Sequence, residues 1–399
     1  MFAQTLYFKN VTIVTADGYH HGSLRLQGDK ITALDEPPRG RDQIIDGAGG
    51  LLIPGLINAH DHLELNTFKR LKYRAYYTHS RQWIEDIEAR FESDPDLIEP
   101  RRQPLTDRLL VSALKNLLSG VTTVCHHNPL HPPLRRNFPV RVVKSYEFCH
   151  SLFRGEEPSA SYHRTKDRDP WMIHLAEGVE TEAEAEFEQL ERLGLLQQNT
   201  VLVHGVGLTF QQRQTLIKRG GGLIWCPGSN FFLFGQTACV QELSQVGKLA
   251  LGSDSRLSGE FDLLAELRIA HQTGQLSPQA LFRSVTSDAA RLLRLREGGR
   301  GQIIPGGVAD LVLLPPTVAD PFTRLLDLTR AQIELVLLAG KPVVGSPWLQ
   351  PVFEATKTRF GSVAVDGTEK IMSRKLIRRV RSSAVAEPGL QIGSGEIGD

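Results

Sequence analysis

Cysteine is scarce in this chain of 399 residues: there are four, Cys125, Cys149, Cys226 and Cys239, and no C-x-x-C pair among them. That argues against a disulfide-stapled scaffold or a cysteine-built zinc finger and leaves the four as reduced packing residues. Charge of one sign is equally lacking, since 46 Lys and Arg face 45 Asp and Glu for a formal net charge of +1. Such a balance gives no reason to expect nucleic acid or an anionic membrane as partner. No stretch approaches the roughly 18 continuous apolar residues of a membrane helix. The start MFAQTLYFKN has no basic-then-apolar signal region. These absences point to a cytoplasmic protein with a small-molecule partner, and leave assembly into a homo-oligomer open.

What the sequence does have is histidine in a particular place. Residues 51–66, LLIPGLINAHDHLELN, run apolar into two histidines one residue apart, His60 and His62. On a β-strand residues i and i+2 share a face, so both imidazoles point the same way. Apolar Leu56 and Ile57 suit a strand buried on both faces, as the strands of a parallel barrel are. Taken alone, the pair is explained better by hydrogen-bonded histidines than by a metal.

Around this stretch the chain divides by pattern. Residues 6–46 alternate short apolar runs with Asp-Gly and Gly-Asp turns, which reads as antiparallel strands. From residue 105 strands and helices alternate: an amphipathic helix, GVTTVCHHNP, VRVVKSYEF, WMIHLAEG, VETEAEAEFEQLERLG, TVLVHGVG, FQQRQTLIKRG, GLIWCPGSN and KLALGSDS. That alternation predicts an α/β fold, a (β/α) TIM-like barrel over residues 55–298. Pro129, Pro132 and Pro133 crowd one connection, and the polar stretch after Phe148 is too short for a helix, strand and helix. The barrel is therefore expected to be reduced around its third and fourth strands. Strand-like runs return near the end, so residues 1–54 and 299–383 are expected to form one discontinuous β-sandwich domain, with 384–399 a disordered tail. The insertion 69–104, rich in Tyr and carrying Trp83, follows the first barrel strand and would lie at the catalytic mouth, as a lid or equally as an aromatic-rich surface packing on itself. His126 and His127 close the second strand, where alternation turns only one of them inward.

Ligand-type residues end the predicted strands: His60 with His62, His174, His204 and Asp254. Barrel enzymes place their catalytic groups there. Neutral imidazoles and a carboxylate suit one divalent ion, zinc first and iron second, which lowers the pKa of a bound water toward ~7. Glu177, three residues after His174, is placed to shuttle the proton. His204 could orient the water or polarise a substrate. Beside the motifs stand Glu64, Asn66, Ser229, Asn230 and Arg256, read as substrate-binding residues.

The pieces PGLINAHDHLE, GVTTV, HLAEG, VLVHGVG, CPGSN, LGSDS and GGVADLVLL, in this order, resemble the amidohydrolase superfamily. The branch they resemble contains the cytosine, guanine and adenosine-type deaminases and the triazine chlorohydrolases. The resemblance implies metal ligation by His60, His62, His174 and Asp254, with catalysis by Glu177, His204 and Asp254. It implies hydrolysis of a non-peptide C–N bond, as deamination of a nitrogen heterocycle by a metal-activated water. One alternative is a dinuclear cyclic amide or imide hydrolase of the hydantoinase or dihydroorotase kind, with Lys144 carboxylated between two metals. The His-x-x-Glu spacing and Gly-Ser-Asp-Ser favour one metal and make Lys144 structural. The other alternative is a non-catalytic ligand-binding pseudoenzyme, which nothing in the motif set favours.

Overall fold

The computed structural model describes residues 5–155, 157–296 and 298–393. Among them, eight parallel strands make the barrel, in two hydrogen-bonded sets. Leu56–Asp61, Val121–His126 and Arg141–Val142 form one set. Glu147–Cys149, Trp171–Leu175, Thr200–His204, Gly222–Trp225 and Leu249–Leu251 form the other. Beyond the eighth strand the Asp254 amide donates to the His60 carbonyl (3.1 Å), which ties the last strand to the first.

The expected reduction is a loss of helices and not of strands. VRVVKSYEF, read as one strand, is two, Arg141–Val142 and Glu147–Cys149, and residues 143–146 between them carry no helix. The Val143 amide donates to the Val124 carbonyl (2.9 Å) and the Glu147 amide to Pro170 (3.2 Å), so the chain changes partner from the second strand to the fifth within that link. The neighbouring helices Pro132–Arg135 and Pro158–Arg164 are short. In the five-stranded set the helices are full. Thr181–Arg192 buries Ala183, Glu186, Phe187 and Leu190, the spacing of one helical face. Phe210–Arg219 opens on a capping box of Thr209 and Gln212 and stops at Gly220, whose φ of +82° favours glycine.

The two terminal regions meet in one β layer. Leu51–Pro54 pairs in parallel with Thr5–Thr15 and antiparallel with Leu311–Leu314, Leu311 lying opposite Pro54. The residues expected to form one β-sandwich domain are joined, among the described residues, by the hydrogen bonds of an eleven-stranded sheet. Its faces alternate as a pleat requires. Leu52, Leu311 and Leu313 enter the layer's own core with Phe8 and Ile13, whereas Leu51, Ile53, Val312 and Leu314 pack into the barrel's core.

The tail expected to be disordered from residue 384 is ordered as far as it is described. Leu390–Ile392 adds to the edge of Phe360–Val365, and the Glu387 carboxylate is buried between Arg256 (2.7 Å) and Arg330 (2.6 Å). A buried carboxylate between two guanidiniums outweighs a composition rich in Gly and Ser. The rest of that tail, residues 394–399, lies outside the described residues. No helix among the described residues is long and apolar enough to cross a membrane.

Candidate active site and metal centre

The C-terminal ends of the barrel strands carry the candidate groups. His60 is the penultimate residue of Leu56–Asp61 and His62 follows it; His174 lies in Trp171–Leu175, His204 ends Thr200–His204, and Asp254 stands just past Leu249–Leu251. His204 and Asp254 have φ of +71° and +51°, a left-handed backbone that costs a non-glycine residue on the order of 1–3 kcal/mol. The strain sits where the chain turns over the barrel mouth.

The side chains converge. His60 Nε2 and His62 Nε2 each lie 3.9 Å from Asp254 Oδ1, and the ligand atoms of these three residues lie within 4.8 Å of one another. The His174 ring is 5.0 Å from that of His60 and 5.4 Å from that of His62. Hydrogen bonds fix which nitrogen faces inward. His174 Nδ1 is 2.7 Å from the His150 carbonyl, which only an N–H can approach, so Nε2 keeps its lone pair. His204 Nδ1 donates in the same way to Asn230 Oδ1 (3.0 Å). Asp254 Oδ1 accepts from the Ser255 amide (2.7 Å), and Oδ2 accepts from the hydroxyls of Ser229 (2.9 Å) and Ser258 (2.8 Å).

His60 Nε2 is buried and has no hydrogen-bond partner among the described residues. An orphaned buried nitrogen beside a carboxylate and further imidazoles fits a cation. Burial first, and then the neighbouring histidines, hold His60 and His174 well below the usual histidine range. They are neutral, which is the form that ligates metal. Burial alone would raise the Asp254 carboxyl, but His62 and His204 and the bonds from Ser258 and the Ser255 amide bring it below the ordinary value.

Glu177 Oε1 lies 3.6 Å from His204 Nε2. Burial raises the Glu177 pKa, opposed in part by His204 and assisted by the Asp254 charge. A carboxyl pushed toward neutrality suits proton transfer.

These groups open on a cavity of about 470 Å³. The insertion expected as a lid forms the helices Ser80–Ala89 and Pro95–Arg102 and supplies Trp83, Ile84, Ile87 and Phe91 to the cavity wall, with Leu65, Phe153 and Leu257 adding to the apolar part. None of the five residues read as substrate-binding lines it. Glu64 turns to Asn128 and to His126 Nε2 (3.5 Å). Asn66 accepts from Lys115 (2.8 Å) and the Arg256 amide (3.0 Å). Ser229 and Asn230 serve Asp254 and His204, and Arg256 is engaged by Glu387. Sequence adjacency to a motif put these residues on the right loops, but the buried polar groups of those loops needed partners and took them. Lys144 is exposed on the link between the third and fourth strands, away from the cavity, so it offers no bridge between two metals. Asn128, His150 and Ser258, which do line the cavity, were missed. Ser258 has a local signal, standing one helical turn after Asp254; His150 has none.

Inward-facing neutral imidazoles and a carboxylate at the C-terminal mouth of a TIM-like barrel, with a buried glutamate beside them, define a metal-dependent hydrolase. The sequence pattern described as Amidohydrolase family matches residues 167–343. The 5'-deoxyadenosine deaminase of Methanothermobacter thermautotrophicus is 26% identical over 364 residues, covering 76% of this chain and 82% of that one. The 5-methylthioadenosine/S-adenosylhomocysteine deaminase of Syntrophobacter fumaroxidans is 27% identical over 345 residues, covering 68% and 73%. Among solved structures, a zinc-bound adenosine deaminase from Xanthomonas campestris superposes with a TM-score of 0.68 at 18% identity, over 88% of this chain and 97% of that one. The zinc complex of the atrazine chlorohydrolase of Arthrobacter aurescens gives 0.70 at 17% identity, over 88% and 99%. The chain is thus similar to the amidohydrolase family over residues 167–343 and, along most of its length, to deaminases and hydrolases of the same fold.

Proposed function

We propose that this protein is an aminohydrolase that replaces an exocyclic amine of a nitrogen heterocycle by oxygen and releases ammonia. The observation that carries this reading is the buried Glu177 carboxyl, 3.6 Å from His204 Nε2 and facing the same cavity as His62, His174 and Asp254. We assign His60, His62, His174 and Asp254 as ligands of one divalent ion, zinc as in the solved relatives. When bound, the ion lowers the pKa of a water toward ~7. Glu177 takes a proton from the attacking water and hands it to the departing nitrogen. His204, held by Asn230, presents Nε2 to the substrate, and the aromatic and aliphatic wall from Trp83 to Phe91 excludes water from the flat ring. The relatives named as deaminases of adenosine-like compounds support the substrate class. The exposed Lys144 weighs against the dinuclear cyclic amide reading. We further propose a cytoplasmic enzyme with no nucleic-acid partner, and leave a homo-oligomer open to sizing.

The test is ammonia release by the zinc-loaded protein from a panel of amino-substituted purines, pyrimidines and triazines, with Glu177→Gln beside the wild type. At least one heterocycle is expected to turn over, and the variant to keep its zinc while losing activity by about 10²–10⁴-fold. Full activity in Glu177→Gln overturns the proton route. Tight binding of such heterocycles without zinc and without turnover overturns the enzyme.

A further inference from the structure

His127 directly follows the second strand Val121–His126, is fully buried, and does not line the cavity. Its Nδ1 lies 3.3 Å from His60 Nδ1, and its Nε2 lies 3.4 Å from the Cys149 carbonyl. A carbonyl can only accept, so the His127 proton is on Nε2. In a neutral imidazole that leaves Nδ1 as an acceptor. The hydrogen between the two Nδ1 atoms must then belong to His60. With its proton on Nδ1, His60 has its lone pair on Nε2, the atom that is buried without a partner 3.9 Å from Asp254 Oδ1.

We infer that His127 is a positioning residue for the metal: it transmits the Cys149 carbonyl to His60, fixes the tautomer that ligates, and is not itself a ligand. The inference rests on the metal reading above. Distance alone would admit a ligand role, because the ligand atoms of His60, His127 and His174 lie within 4.8 Å of one another. Both nitrogens of His127 are already engaged, however, and its ring lies against His174 at 4.1 Å with 24° between planes. The relay also joins the first, second and fourth strands, and so crosses the seam at which the barrel's hydrogen-bonded sets separate. Outer partners of this kind commonly change metal affinity by 10–100-fold when removed.

The experiment compares wild type, His127→Leu and His127→Gln by zinc affinity in competition with a chromogenic chelator, zinc stoichiometry at saturation, circular dichroism, and proton–nitrogen correlation spectra of the histidine rings. His127→Leu is expected to bind zinc about 10–100-fold more weakly with the saturating stoichiometry unchanged. His127→Gln is expected to recover most of the affinity, because its amide can donate to Cys149 while its oxygen accepts from His60. In the zinc-loaded wild type the His60 proton is expected on Nδ1. Unchanged affinity in His127→Leu, or a stoichiometry lower by one ion, overturns the inference alone. If His127→Leu does not fold, a folded His127→Gln decides: near wild-type affinity supports the inference, and loss of zinc overturns it. A wild-type protein that takes up no zinc overturns the proposed function and this inference with it.

Discussion

The three-stranded and five-stranded parts of the barrel are both backed by apolar packing, but the first strand adds a buried polar network to it. Behind the five-stranded part the contacts are apolar, with Trp171, Leu202, Leu223 and Trp225 meeting Phe187, Leu190 and Leu216 of the covering helices. Behind the first strand the helix Leu105–Leu118 packs leucines as well, but it also buries Ser112, Lys115 and Asn116. Buried Lys115 donates to Asn66 Oδ1 and to the Asp254 carbonyl (2.8 Å each) and lies 3.3 Å from Asp61 Oδ2. Asn116 donates to Asp61 (2.9 Å), and Asn58 donates to Asn116 (2.9 Å) and to Ser253 (2.8 Å). Apolar packing is non-directional and settles only that a face is buried. Hydrogen bonds settle direction, and the loops that aim His60, His62 and Asp254 across the first-to-eighth junction require it.

The most severe way to break this contrast is Lys115→Met, which keeps the volume and removes the charge. The Lys115 and Asp61 side chains are 1% and 0% exposed, so the variant strands a buried carboxylate, at a cost of about 3–5 kcal/mol. Urea unfolding should show that loss, and Lys115→Met with Asp61→Leu should recover part of it, since the uncompensated charge is then gone. A loss below about 1 kcal/mol in the single variant would mean that the network does not hold the junction.

The same contrast explains what could be read from the sequence. The strand ends bearing His60, His62, His174, His204 and Asp254 were legible because period-two alternation and strand–helix succession are local patterns. The last four strands of the five-stranded part were legible for the same reason, down to the acidic helix after His174. The split of VRVVKSYEF was not, because a four-residue link that switches partners looks locally like continuous strand. The order of the tail was not legible either, since it depends on Glu387 meeting Arg256 and Arg330, more than fifty residues away in the chain. Asn66, Ser229, Asn230 and Arg256, read from the sequence as substrate-binding, have protein partners that the sequence did not show. Sequence shows which polar residues lie near a motif; only the fold shows which buried groups claim them.

A smaller effect sharpens the comparison from the apolar side. Leu190 is fully buried under the five-stranded part, whereas Phe138 sits half-buried beside the short helix Pro132–Arg135. Leu190→Ala should cost about 2–4 kcal/mol. Phe138→Ala, although it deletes more atoms, should cost only about 1 kcal/mol, because its site is already partly open to solvent. Equal losses would show that the reduced flank packs as tightly as the complete one.

The smallest effect lies where the five-stranded side departs from its own apolar pattern. Glu266, in the helix Leu263–Gln272, is fully buried; its Oε1 accepts from the Gly228 amide (2.6 Å) and its Oε2 has no hydrogen-bond partner among the described residues. Burial pushes this carboxyl up to about 8, with Glu260 and Asp254 adding to the shift and the Gly228 amide and Arg70 opposing it. Between the ordinary 4.5 and about 8, the unfolded chain releases a proton that the folded chain keeps, so rising pH across that window takes stability from the native state. Below it both states are protonated and the residue contributes nothing to the pH dependence. Glu266→Gln retains an oxygen for the Gly228 amide and cannot titrate. Its melting temperature relative to wild type should therefore climb from pH 5 to pH 8 and then level off. A difference that stays flat or falls over that range would show that the Glu266 carboxyl is ionised in the folded protein, and that this side of the barrel tolerates buried charge as readily as the Lys115 side does.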